Sequence, residues 1–186
     1  VANDISGNVS ILTGSGLGTF SVTATYSVGV SPRFLTTADF NGDGKTDLAT
    51  ANYGSDDISV LLGSGTGAFS SSGNFNVGDK PLSISSGDYD SDGLLDMAVA
   101  NASADKTCIL IGNGLGTFKS RIINSVGSNQ NSLIANDFNG DGIPDLAVAN
   151  FATNDVTILN GSGTGTFTTI GNYSVGSQPT SIVSAD

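Results

Sequence analysis

Residues 49 positions apart match along the whole of this chain, and that period constrains the fold more than any other feature. The stretch Gly14-Ser-Gly-Leu-Gly-Thr-Phe20 returns as Gly63 to Phe69, Gly112 to Phe118 and Gly161 to Phe167. Tyr26-Ser-Val-Gly29 returns as Phe75 to Gly78, Asn124 to Gly127 and Tyr173 to Gly176, and the Ala2-Asn3 pair returns at Ala51, Ala100 and Ala149. Nothing is inserted or deleted. A period of about 20–50 residues belongs to solenoids, propellers and arrays, in which one small unit stacks on its own copies. The copies form a single array over 1–186, in register as 1–38 (partial), 39–87, 88–136 and 137–185, with Asp186 beginning another.

Within one copy, apolar alternation and β-branched runs predict four short strands, roughly Leu82–Gly87, Leu95–Asn101, Lys106–Ile111 and Thr117–Val126. The turn Gly112-Asn-Gly-Leu-Gly116 supplies glycines for the positive φ values that hairpins demand. Four antiparallel strands in every 40–50 residues describe the blade of a β-propeller. The expected fold is therefore all-β, with about four blades of four-stranded sheet.

Between the first and second strands lie three acidic loops of nine residues: Asp39-Phe-Asn-Gly-Asp-Gly-Lys-Thr-Asp47, Asp88-Tyr-Asp-Ser-Asp-Gly-Leu-Leu-Asp96 and Asp137-Phe-Asn-Gly-Asp-Gly-Ile-Pro-Asp145. Each offers side-chain oxygens at its first, third, fifth and ninth places, a glycine at the sixth and a backbone carbonyl at the seventh. Such a loop suits calcium, a hard cation that takes six to eight oxygens. EF-hands and dockerins open in the same way. An EF-hand needs a carboxylate at its twelfth place, however, and here that place holds Thr50, Val99 and Val148, in a chain with no glutamate. Each loop instead runs on into a segment such as Leu146-Ala-Val-Ala149, which reads as a buried strand.

These loops and their period resemble the FG-GAP or VCBS repeats of integrin-type β-propellers, over the whole chain. The resemblance implies calcium ligation by Asp39, Asn41, Asp43, the Lys45 carbonyl and Asp47. In the second loop it implies Asp88, Asp90, Asp92, the Leu94 carbonyl and Asp96; in the third, Asp137, Asn139, Asp141, the Ile143 carbonyl and Asp145. It suggests seven blades in a complete ring. Val99-Ala-Asn101 stands where integrins have Gly-Ala-Pro, which points to a bacterial-type, VCBS-like branch. Asp186, in register with Asp137, would open part of a fourth site, so the chain is expected to be a window on a longer array or a subunit completed by a neighbour.

The net charge of −11 reflects 17 aspartates, ten of them inside the loops; three Ca²⁺ would bring −11 + 6 = −5. That acidity argues against nucleic acid or insertion at an anionic membrane. Sites of ordinary affinity stay filled where calcium is millimolar, which sets the expected location as secreted or at the cell surface. Equipment for catalysis is scarce, because the chain has no histidine, no glutamate and one thiol, Cys108, at a strand position held elsewhere by Ser10, Ser59 and Thr157. A pair of aspartates outside the loops could in principle hydrolyse a glycoside. Asp4, Asp57 and Asp155 read equally well as turn residues. No catalytic residue is expected.

Residues that recur in every copy build the blade, whereas those unique to one copy are free to recognise a partner. Phe20, Phe69, Phe118 and Phe167 are core by this test. Tyr53 and Phe151, where another copy has Ala102, and Phe34, with serine at its counterparts, are the recognition candidates, together with the neighbouring Arg33. The expected role is adhesion to or recognition of a glycan or protein ligand at the cell surface. The alternatives are a subunit that assembles head to tail with neighbouring chains into a ring or filament, and an accessory domain of a larger secreted hydrolase or lyase.

Overall fold

The computed structural model describes residues 1–103 and 105–185; the fourth-site expectation at Asp186 lies outside them. The strands are β1 (Ala2–Asn3), β2 (Asn8–Gly14), β3 (Phe20–Ser27), β4 (Pro32–Ala38), β5 (Asp47–Asn52), β6 (Asp57–Gly63), β7 (Phe69–Asn76), β8 (Pro81–Gly87), β9 (Asp96–Asn101), β10 (Lys106–Gly112), β11 (Phe118–Ser125), β12 (Gln130–Asn136), β13 (Asp145–Asn150), β14 (Asp155–Gly161) and β15 (Phe167–Ser174). Among the described residues there is no helix, and so none long and apolar enough to cross a membrane. The strands form three four-stranded sheets, β4–β7, β8–β11 and β12–β15, and one three-stranded sheet, β1–β3. Every pairing is antiparallel between consecutive strands. The first strands β4, β8 and β12 lie against one another in succession, as blades do around a propeller axis.

Alternation along each strand divides its side chains between two neighbours. On β9, Met97 and Val99 join Ala49, Ala51, Ile58 and Val60 of the sheet before, whereas Ala98 and Ala100 join Leu146 and Val148 of the sheet after. On β10, Cys108 and Leu110 face the earlier sheet, and Ile109 and Ile111 the later one. The period of two thus makes one strand serve two interfaces, which is why the second strands β5, β9 and β13 are buried along their whole length. Burial pushes the Cys108 thiol up to about 12, consistent with a small core residue rather than a nucleophile.

Aromatic pairs bolt the junctions. Tyr26 meets Phe69 edge to face at 5.6 Å, and Phe75 meets Phe118 in the same manner at 4.9 Å. At the third junction Asn124 stands where an aromatic would be, and Phe167 is met instead by Tyr89, from the second place of an acidic loop, at 5.5 Å. The Nδ2 of Asn124 is left buried without a partner. Phe20 departs from its expected core role: it is 70% exposed, because no aromatic of an earlier sheet stands against it. Asn101, which opens an Asn-Ala-Ser sequence, is buried.

The third strand ends in a glycine for a reason other than φ. A Cβ on Gly63 would lie 2.1 Å from the Thr46 carbonyl oxygen, on Gly112 2.1 Å from that of Leu95, and on Gly161 2.3 Å from that of Pro144. In each case the blocking atom is loop backbone. Gly14, in register but with no such loop behind it, faces only the Phe20 side chain at 3.3 Å. We expect Gly112→Ala to cost about 2 kcal/mol or more in urea unfolding and Gly14→Ala less than about 1 kcal/mol; equal losses would contradict the close approach. The Cys108 thiol should resist a thiol reagent in the folded protein and react once urea unfolds it.

Candidate metal centre

The three acidic loops connect β4 to β5, β8 to β9 and β12 to β13, and so lie at one end of the sheets. Each is shaped by its own carboxylates. The first aspartate accepts the backbone N–H groups of the fifth and sixth residues: Asp43 and Gly44 donate to Asp39 at 3.1 and 2.8 Å, and Asp92 and Gly93 to Asp88 at 3.1 and 2.9 Å. Asp141 and Gly142 repeat this on Asp137 at 3.1 and 2.8 Å. The fifth aspartate accepts the seventh N–H, from Lys45, Leu94 and Ile143 at 3.0, 2.9 and 2.8 Å. The sixth-place glycines Gly44, Gly93 and Gly142 have φ of 79°, 82° and 84°, a region that side chains disfavour.

The ninth aspartate behaves differently. Asp47, Asp96 and Asp145 are fully buried, and each bridges two distant backbone donors. Asp47 accepts Phe40 N–H at 2.9 Å and Gly63 N–H at 2.7 Å; Asp96 accepts Tyr89 and Gly112, both at 2.8 Å; Asp145 accepts Phe138 at 3.1 Å and Gly161 at 2.8 Å. Each therefore joins the second residue of its loop to the end of the third strand.

Loop 2 carries four aspartates where loops 1 and 3 carry three, because Asp90 replaces Asn41 and Asn139. Its Asp88, Asp90 and Asp96 bring one carboxylate oxygen each within 4.8 Å of one another, a group that could hold a metal ion. Asp90 Oδ1 is buried there with no hydrogen-bond partner. Among the described residues the three carboxylates of loop 1 (Asp39, Asp43, Asp47) and of loop 3 (Asp137, Asp141, Asp145) do not converge in this way. Asp92 turns outward, to the ammonium of Lys119.

Local charge follows these contacts. The Lys119 ammonium holds Asp92 below the usual carboxylate range, the Lys45 ammonium does so for Asp43, and the Gly142 N–H does so for Asp137. Burial pushes Asp96 the other way, aided by the negative charge of Asp90 and Asp92. In the metal-free protein, Asp43, Asp92 and Asp137 thus contribute stability that is lost as pH falls through their lowered values. Asp96 contributes stability that is lost as pH rises through its raised one.

The recognition candidates lie apart. Arg33 occupies a bulge between Pro32 and Phe34, and its guanidinium sits 3.9 Å from the centre of the Tyr53 ring. Lys80 Nζ lies 5.6 Å from the same ring, and Arg33 pairs with Asp4 at 3.9 Å. Phe34 packs against the buried cluster, and Phe151, two sheets away, is half-buried and does not join the pair. The aspartates weighed as a hydrolytic pair are engaged in turns: Asp57 accepts Asn52 at 2.7 Å and Ser55 at 2.9 Å, and Asp155 accepts Asn150 at 2.7 Å and Thr153 at 3.0 Å.

Repeated four-stranded antiparallel sheets with an acidic loop between the first two strands define a β-propeller repeat protein. Residues 39–99, 88–148 and 137–186 match the FG-GAP-like repeat in three overlapping copies, and the chain belongs to that family. No curated protein matches it by sequence. Among solved structures it is similar to a protein from Lactobacillus plantarum, at 17% identity and TM-score 0.73, covering 94% of this chain and 51% of that one. It is also similar to a provisionally named 6-phosphogluconolactonase from Bacteroides fragilis, at 22% identity and TM-score 0.67, over 84% and 43% of the two chains. The periplasmic gluconolactonase of Pseudomonas aeruginosa matches at 19% identity and TM-score 0.58, over 86% and 43%. The chain spans about half the length of these structures or less, and at such identities the likeness shows the fold alone.

Sequence reasoning treated the ninth aspartate as a ligand equal to the others and missed its two backbone partners. It also missed Lys119, although that is the only basic residue at its place in the repeat, against Ser21, Ser70 and Thr168. In metal-free buffer we expect Asp47→Ala to cost about 2–4 kcal/mol, since two buried N–H groups lose their acceptor. Exposed Asp43→Ala should cost less than about 1 kcal/mol. Denaturant melts of both variants decide the point, and equal costs would remove the distinction between clamp and loop ligand.

Proposed function

We propose that this chain is a calcium-stabilised segment of an extracellular β-propeller that mediates adhesion or recognition, with no catalysis of its own. The observation that carries the calcium reading is the convergence of Asp88, Asp90 and Asp96, together with the buried, unpartnered Oδ1 of Asp90. An all-oxygen, carboxylate-rich donor set selects a hard cation, and calcium accepts the irregular geometry that magnesium resists. Asn41 and Asn139 would serve at the third place of loops 1 and 3, with the Lys45, Leu94 and Ile143 carbonyls adding a further oxygen to each loop. Calcium of ordinary affinity fills such loops outside cells, which is the basis for a secreted or surface location. The absence of histidine and glutamate from the chain supports a non-catalytic role, and the lactonase names of two similar structures bear on fold only.

For a ligand, Tyr53 with Arg33 and Lys80 offers an aromatic surface edged by cations at the end of the sheets opposite the loops, suited to a glycan or an acidic peptide.

Filling a site at about 100-fold excess over its dissociation constant adds about 2.7 kcal/mol. Calcium should therefore raise the melting temperature by roughly 5–10 °C for each site filled, and EGTA should reverse the gain. A melt indifferent to both, with no calcium in elemental analysis, would end the calcium reading. On a glycan array, binding weakened by Tyr53→Ala would support recognition at the opposite end.

A further inference from the structure

Lys119 lies on β11, 27 residues beyond Asp92, yet its ammonium reaches into loop 2. Its Nζ stands 2.6 Å from Asp92 Oδ2 and 3.2 Å from Asp90 Oδ2. Both members of this arrangement are unique to one copy of the repeat. Asp90 has asparagine at its counterparts in the other two loops, and Lys119 has Ser21, Ser70 and Thr168 at its own. The extra acid and the strand-borne base occur together: loop 2 carries one more carboxylate than its siblings, and its ammonium comes from β11, whereas that of loop 1, Lys45, lies within the loop and loop 3 has none of its own. Lys45 is no equivalent, because it belongs to its own loop and touches only Asp43, at 3.1 Å.

The lysine also divides the carboxylates of loop 2. Asp88, Asp90 and Asp96 converge; Asp92, the fifth-place ligand, is held out of that group on the ammonium. A divalent ion that takes the full set of oxygens must draw Asp92 away from Lys119 and share Asp90 with it, since Asp90 Oδ1 is free while Oδ2 faces the ammonium. We propose that Lys119 is a tethered counter-cation that competes with the divalent ion for loop 2 and sets the affinity of this site apart from that of loops 1 and 3. In the absence of the ion it neutralises part of the crowded charge and keeps the loop closed. The proposal rests on the calcium reading of the loops.

Calcium titration by calorimetry of the wild-type chain, of Lys119→Gln and of Asp90→Asn tests it, together with thermal melts in EGTA. In Lys119→Gln one binding step should tighten about three- to tenfold, the size expected of two partly exposed ion pairs, while the other steps stay unchanged. The same variant should melt lower than wild type in EGTA and gain more from calcium. Asp90→Asn, which removes a ligand and keeps the lysine, should weaken one step. Unchanged calcium affinities in Lys119→Gln would overturn the proposal and leave the calcium reading standing. A step that weakens in both variants would overturn it too, since Lys119 would then be positioning Asp92 rather than competing for it. If neither wild type nor variant takes up calcium, the calcium reading and the proposal fall together.

Discussion

One buried carboxylate locks each four-stranded sheet to its acidic loop. Asp47, Asp96 and Asp145 accept one N–H from the second residue of the loop and one from the glycine that ends the third strand. Withdrawing a carboxylate from water costs several kcal/mol unless donors replace the lost solvent, and two charge-assisted hydrogen bonds do so here. Glycine is required at the strand end because the loop carbonyl lies where a Cβ would be. Loop, glycine and the antiparallel pairing of the second and third strands are therefore one mechanical unit. Packing between sheets depends on it, since a slip of one residue would exchange the two faces of β9 and β10 between the neighbours they serve.

With the ninth aspartate anchored on two backbone donors, negative charge accumulates on the exposed part of the loop. The first and fifth aspartates are only partly satisfied by loop N–H groups, and in loop 2 a fourth carboxylate adds to the crowding. Burial and like charge push Asp96 upward, while Lys119 relieves Asp92. The two ends of the sheets thus differ in chemistry. One is a row of acidic loops, and the other holds an aromatic ring within reach of two cations.

Much of this was legible in the chain. The strands expected at Leu82–Gly87 and Lys106–Ile111 are Pro81–Gly87 and Lys106–Gly112, because the apolar alternation of the one and the apolar, β-branched run of the other are each bounded by turn residues. The acidic loops were legible through the spacing of aspartate and glycine. Phe20 was misread as core because recurrence records what a residue does in an interior copy, whereas burial depends on the neighbour actually present. Tyr89 at the third junction, and Lys119 beside loop 2, were invisible because each acts across sheets or strands, on partners 78 and 27 residues away.

The sequence by itself determined the period, the strands, the blade and the places of the loop oxygens, since all of these are local and repeat with the residues that cause them. Only the tertiary structure decided which oxygens converge, which are anchored on backbone donors, and which are held by a lysine. It also decided that Arg33, re-aimed by a bulge, lies over Tyr53 while Phe34 turns to the core. Those outcomes depend on distances between separate strands and sheets, which a period in the sequence does not encode.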